Sequence, residues 1–255
     1  MVQVHHRPPV KPSEDAYGRL MLDHLEGRPA VEVVERDDGM IMVNRGPMMY
    51  FEPIRRWPQP ESAAMRLVRG KVLDVGCGAG RVALHLQKRG FDVVGIDVSP
   101  GAIRVAKARG LRKARVMALD DIDSRLGTFD TVVMFGNNFG LFESRTGAVR
   151  RLRRLSRITN PDARVLASSR DPYMTTDPIH LAYHRMNRAR GRMGGQVRLR
   201  VRHRKLATPW FDYLMVSAAE MEQLAAEGGW RLARAIGDGQ QYYVGVLEKG
   251  INLRR

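Results

Sequence analysis

Ten residues, Val72-Leu73-Asp74-Val75-Gly76-Cys77-Gly78-Ala79-Gly80-Arg81, constrain this chain more than any other stretch. Lys71 to Val75 is a short apolar, β-branched run, the pattern of a buried strand. Gly76 to Gly80 holds three glycines in five positions and cannot prolong that strand, so the chain turns tightly there. From Arg81, Val82, Leu84 and Leu86 with Lys88-Arg89 suit a helix that stops at Gly90. Strand, glycine turn and helix form the first unit of a nucleotide-binding α/β domain.

The residues in the turn decide which nucleotide. A dinucleotide fingerprint reads GxGxxG and seats a pyrophosphate on the helix N-terminus. Here Gly76 and Gly78 fit, but the third position is Arg81 and the extra glycine is Gly80. Asp74 lies two residues before the first glycine, where a carboxylate repels a pyrophosphate and attracts an ammonium beside a sulfonium. The ligand that fits is S-adenosylmethionine.

Asp74-Val75-Gly76-Cys77-Gly78-Ala79-Gly80 resembles motif I of the class I S-adenosylmethionine-dependent methyltransferases, and the resemblance extends from about Arg69 to Lys249. It implies a Rossmann-like α/β fold with a seven-stranded, mostly parallel sheet and helices on both faces. The alternation of elements after residue 69 is the βαβ order of such a sheet. Strands are expected at Phe91 to Ile96, Ala114 to Leu119, Phe129 to Phe135 and Ala163 to Ser169. Ser99-Pro100 and Ser144 start helices, and Ser217 starts the last one. Trp230 to Ile236 and Tyr242 to Glu248 close the sheet across Gly237-Asp238-Gly239, as the family's final antiparallel strands do.

Outside that domain, Met1 to Pro12 reads as a loose arm. Ser13-Glu14-Asp15 opens a helix that Gly27 ends, and Val31 to Glu35 and Met40 to Asn44 flank Asp37-Asp38-Gly39, a hairpin signal. Gly46 to Pro58, rich in Met and aromatics, reads either as a satellite core or as a lid. Pro60 starts a helix to about Val68. Residues 1–68 are thus expected as an arm and a helix/hairpin cap, and 69–255 as the methyltransferase domain. Residues 172–216 form an inserted section, in which Gln196 to Lys205 and Trp210 to Val216 pair as an added β-hairpin before the last helix.

Asp97, with Val98 after it, ends the second strand, where a carboxylate accepts both ribose hydroxyls of the donor. By resemblance, an acid at Asp120-Asp121 takes the adenine amino group, with Asp120 preferred, and Ile122 packs on the ring. Phe135-Gly136-Asn137, followed by Asn138, ends the fourth strand beside the transferable methyl. The Asn/Asp-Pro-Pro-aromatic motif of many base-directed amino-methyltransferases is missing there, which counts against adenine N-methylation. The cofactor-binding set is therefore Asp74, Gly76, Cys77, Gly78, Gly80, Asp97, Val98, Asp120, Asp121, Ile122, Phe135, Gly136 and Asn137. Methyl transfer needs alignment and exclusion of water more than a metal, and no ligand cluster has zinc spacing. Tyr50, His180 and His184 are the candidates for a base, with Tyr173 and Tyr183 behind them.

Composition bounds the remainder. With 255 residues and 44% hydrophobic content, the chain can pack one large α/β domain with a cap. No apolar run reaches the roughly 18–20 residues of a membrane span, and Met1 to Pro12 lacks a signal-peptide core, so a cytoplasmic protein is expected. The single cysteine, Cys77, excludes an intramolecular disulfide. The formal charge of +16 and the nine Lys/Arg between Arg185 and Lys205 admit two readings. One is a solvated, aggregation-resistant strand face. The other is a surface for RNA or DNA. The expectation is a methyltransferase with a small-molecule acceptor. Its alternatives are a nucleic-acid methyltransferase using the basic strip and a non-catalytic protein that binds the cofactor.

Overall fold

A computed structural model describes residues 8–44, 46–237 and 239–250. Its centre is a seven-stranded sheet in the order β11-β12-β7-β6-β3-β4-β5. The strands are β3 (Val72–Val75), β4 (Val93–Asp97), β5 (Ala114–Val116), β6 (Phe129–Met134), β7 (Thr159–Arg170), β11 (Trp230–Ile236) and β12 (Tyr242–Lys249). Strands β3 to β7 are parallel. Strand β12 is antiparallel to both its neighbours, so it alone is reversed.

Alternate residues of these strands feed two cores, because successive side chains point to opposite faces. Leu73, Val75, Ile96, Val132 and Val165 pack with α5 (Arg145–Arg157) and α7 (Ala218–Glu227). Val72, Val93, Val133 and Leu166 pack on the other face with α2 (Gln59–Ala64), α3 (Arg81–Lys88) and α4 (Pro100–Ala108). The Rossmann-like class expected from the sequence is what forms.

Above the carboxyl ends of β3 and β4 lies a cap. Helix α1 (Ala16–Leu25) crosses α4 so closely that a Cβ on Gly101 would lie 2.7 Å from Gly18 Cα. Asp15 latches the crossing: it accepts from Gly18 N at the start of α1 and from Gly101 N and Ser99 Oγ at the start of α4. The hairpin β1 (Glu32–Arg36) and β2 (Ile41–Asn44) is not separate from the later hairpin. Strand β8 (Gln196–His203) pairs with β1 on one side and β10 (Phe211–Leu214) on the other, giving the order β10-β8-β1-β2. The two-residue β9 (Leu206–Ala207) also joins β8. The expected helix/hairpin cap and added hairpin are therefore one antiparallel sheet, drawn from both ends of the chain.

Three further expectations change. A helix absent from the sequence reading, α6 (Pro178–Ala189), covers this sheet, with Asp177 capping it and Pro178 in its first turn. The third strand stops at Val116 and gives way to a 3-10 turn at Leu119–Asp121. The arm is tied down where it is described, with Val10 N donating to Val98 O at 2.9 Å. Residues 1–7 and Asp238 of the β11–β12 turn lie outside the described residues.

Candidate active site

The glycine turn has the geometry its residues dictate. Gly76, Gly78 and Gly80 take φ of 70°, 51° and 81°, the left-handed region closed to most side chains. Space is short as well: a Cβ on Gly76 would lie 2.6 Å from Asn138 Nδ2, whose amide donates to Val75 O and Gly76 O. Cys77 is buried against Gly95, as a small residue between glycines should be.

Asp74 differs from expectation. It is 2% exposed, and its Oδ2 accepts from Ala83 N at 3.0 Å in the first turn of α3. The side chain caps the helix instead of standing guard over the turn's open side. Burial pushes its carboxyl up to about 7. Its negative charge is therefore partial at neutral pH, and its attraction for a cationic tail is weaker than the sequence suggested.

Asp97 sits at the end of β4 with one carboxylate oxygen on Gly78 N and the other on Ser99 N, both at 2.9 Å. These two bonds fix the carboxylate's orientation. It links the glycine turn to the start of α4. Val98 beside it is half-buried.

Asp120 is engaged elsewhere. Arg151 bonds both of its oxygens, at 3.2 and 2.8 Å, and Arg150 joins them. Burial raises the Asp120 carboxyl, but the two guanidinium groups outweigh it and hold the group below the usual carboxylate range. Asp120, preferred over Asp121 from the sequence, is thus engaged with the buried Arg151, and Asp121 beside it is exposed. Ile122 is buried in the core beneath it.

At the end of β6, Phe135 is buried and Gly136 N donates to Glu61 Oε1 at 2.7 Å. Glu61, fully buried, also receives Arg81 at 2.7 Å and the Tyr242 hydroxyl. This hub was not anticipated; its one sequence signal was an acid in the first turn of α2. Asn137 adopts a left-handed φ of 69°, donating its N–H to Ser168 Oγ and accepting the Tyr213 hydroxyl on its carbonyl. Its Oδ1 is buried and has no donor among the described residues. An orphaned acceptor there fits a ligand that brings an N–H or O–H of its own.

The cap reaches the same place. A Cβ on Gly78 would lie 3.2 Å from Met21 Cε and 3.7 Å from the Tyr17 hydroxyl, both from α1. Tyr17 meets Tyr50 edge-to-face at 5.3 Å and hydrogen-bonds it. Tyr50 donates to both oxygens of Glu32, at 3.0 and 3.1 Å. Burial holds both phenols well above their usual range. Of the candidate bases, Tyr50 is therefore at the glycine turn. His180 and His184 are on α6, where His180 Nδ1 meets Arg36 at 2.9 Å and His184 stacks edge-on to Tyr173. Tyr183 donates to Asp37, and Tyr173 to Glu220.

The basic strip is mostly spent inside the cap. Arg200 and Arg202 pair with Glu35, Arg192 and Arg198 with Asp212, and Arg204 with Asp23. Arg200 also lies 4.5 Å over the Trp210 ring. Among the described residues no cluster of His, Cys, Asp or Glu could hold a metal, and no helix is long and apolar enough to cross a membrane.

Comparison with known proteins agrees with this geometry. A family model described as "Methyltransferase domain" matches residues 72–162, from β3 into β7. The 2-heptyl-1-hydroxyquinolin-4(1H)-one methyltransferase of Mycobacteroides abscessus is 38% identical over 90 residues, 31% of this chain and 40% of its own. The magnesium-protoporphyrin O-methyltransferase of Rhodobacter capsulatus is 45% identical over 67 residues, 25% of this chain and 30% of its own. The chain spans half or less of the length of these curated relatives. A SAM-dependent methyltransferase from Bacteroides fragilis, solved with S-adenosyl-L-homocysteine, is 26% identical with a TM-score of 0.80. That likeness covers 95% of this chain and 98% of the other, so it takes in the cap as well as the central sheet.

Proposed function

We propose that the chain is a class I S-adenosylmethionine-dependent methyltransferase and that it methylates a small molecule enclosed between the glycine turn and the cap. The observation that carries this reading is the cap's reach. Tyr17 and Met21 of α1 stand over Gly78, and Tyr213 of β10 bonds the Asn137 carbonyl. An acceptor seated there is surrounded by side chains from both sheets. A duplex or a folded RNA would need an open basic groove, and Arg192, Arg198, Arg200, Arg202 and Arg204 are paired with the cap's own acids.

When bound, S-adenosylmethionine supplies a methyl group activated by a sulfonium. The protein's work is binding, orientation and exclusion of water. Asp97, oriented by Gly78 N and Ser99 N, accepts the ribose hydroxyls. Asp121 takes the adenine amino group and Ile122 supports the ring. Asn137 Oδ1 receives a donor from the ligand, and Phe135-Gly136 shapes the wall beside the methyl. Residues 1–68 and 172–216 act together as the acceptor cap on the domain formed by the remainder, in a cytoplasmic setting.

The test is partition of label. Protein incubated with methyl-labelled S-adenosylmethionine and a cell extract should place label in the small-molecule fraction. Label confined to RNA, DNA or protein would refute the reading.

A further inference from the structure

Among the described residues six carboxylic side chains are buried: Asp15, Asp23, Glu32, Glu61, Asp74 and Asp97. Five have backbone N–H donors or cations to compensate them. Asp15, Asp74 and Asp97 cap turns and helix starts, Glu61 has Arg81 and Gly136 N, and Asp23 has Arg19, Arg28, His203 and Arg204. Glu32 stands apart. It is 3% exposed, and among the described residues its donors are the Tyr50 hydroxyl and the Asn44 side chain, both neutral. A carboxylate buried with neutral donors is costly, and a cation that reaches it relieves that cost.

The position of Glu32 says which ligand. Tyr50 joins it to Tyr17, whose hydroxyl lies over Gly78 of the donor turn. Tyr50 also lies within electrostatic reach of Tyr213, whose hydroxyl is on Asn137 O at the end of β6. Both ends of the donor seat therefore converge on one anion contributed by the cap. His203, the next pairing step along β8 from Arg202 opposite Val33, is committed to Asp23 and Val31 O.

We propose that Glu32 is the subsite for a cationic nitrogen of the methyl acceptor, so that the acceptor is an amine, its ammonium paired with Glu32 and steadied by Tyr50 and Tyr17. This rests on the reading that a small acceptor is enclosed beneath the cap. The ammonium gives one proton to the Glu32 carboxylate and becomes a neutral amine. The nitrogen lone pair forms the new N–C bond as the C–S bond breaks, its electron pair leaving with sulfur. The products are an N-methylammonium and S-adenosylhomocysteine, and Glu32 returns its proton to solvent. Burial already lifts the Glu32 carboxyl above its ordinary range, which suits a group that takes up a proton and releases it.

The experiment uses the full chain with S-adenosylmethionine and matched acceptor pairs: benzylamine and benzyl alcohol, tyramine and tyrosol, glucosamine and glucose. S-adenosylhomocysteine formation is the turnover readout, and calorimetric binding of S-adenosylhomocysteine reports the donor side. The expected result is turnover with amines over their alcohol partners. It should fall about 100-fold in Glu32→Gln and recover in part in Glu32→Asp, with donor affinity within about twofold of wild type. Amine turnover insensitive to Glu32→Gln, preference for the alcohols, or turnover with none of the amines overturns the proposal. Alcohol turnover leaves the enclosed small-molecule reading standing, whereas transfer only to RNA or protein removes that reading itself. Loss of donor binding in Glu32→Gln would assign Glu32 to the donor's own ammonium instead.

Discussion

A single carboxylate can do three different jobs here, and its partners decide which. Asp120 is bound to a guanidinium that is 2% exposed and also paired with Glu143, so Asp120→Ala would remove one of its two carboxylate partners among the described residues. The expected loss is about 1–3 kcal/mol of stability, read as a lowered denaturation midpoint. Asp121→Ala is predicted to weaken S-adenosylhomocysteine binding about tenfold, the worth of one hydrogen bond to a charged group. Asp74 makes a pH prediction. Its folded carboxyl titrates at about 7 and its unfolded one near the ordinary value, so the folded state holds the extra proton between them. Its contribution is fully present below the unfolded value and is lost as pH rises through about 7. Chemical denaturation of wild type should therefore show stability falling between pH 5 and pH 8 by more than in Asp74→Asn; equal slopes would refute the assignment. Glu32→Gln should raise the melting temperature of the ligand-free protein, by about 2–4 °C per kcal/mol of relieved burial cost. The sequence shows an acid at each of these positions. It does not show which neighbour each acid meets, because Arg151 and Tyr50 come from elements 31 and 18 positions away from Asp120 and Glu32.

Elements were legible where period and punctuation agreed. Strands β3, β4 and β6 are short, mostly apolar runs ended by glycine or acid, and α5 carries Leu152 and Leu155 on one stripe, so pattern and position coincide. Helix α6 was missed because the residues it buries are Tyr183, His184 and Asn187, which leave no apolar stripe to count. Its start signal, Asp177 followed by Pro178, was present in the sequence. Strand β5 was read three residues too long because Met117 to Leu119 is apolar yet feeds a 3-10 turn. The contact of α1 with α4 lay beyond pattern reading, since Gly18 and Gly101 look like weak helix residues until their backbones are seen to touch. Asp15 serves both helix starts, so Asp15→Ala removes two caps at once. The expected cost is about 1–2 kcal/mol for each cap, together with easier proteolysis of the N-terminal segment. An unchanged digestion pattern would mean that the latch contributes nothing.

At the scale of the molecule, the seven-stranded sheet and its donor turn were readable, and the acceptor side was not. The reason is topological: β1 and β8 are adjacent in space but about 165 residues apart in the chain, so nothing local in either strand reports the pairing. The same pairing engages part of the basic strip, because Glu35 on β1 meets both Arg200 and Arg202 on β8. Neutralising Arg198, Arg200 and Arg202 together is accordingly expected to loosen the cap and leave any nucleic-acid binding and its salt slope unchanged. The central claim is that the bend at Gly76–Gly80, braced by Asp97, seats a sulfonium nucleoside without phosphates. Calorimetric titration of the intact protein with S-adenosylhomocysteine tests it most directly. The prediction is a one-to-one complex of roughly micromolar affinity, about 8 kcal/mol, weakened at least tenfold in Asp97→Ala, with no heat from NAD. Folded wild-type protein that ignores S-adenosylhomocysteine, or that binds NAD instead, would contradict it.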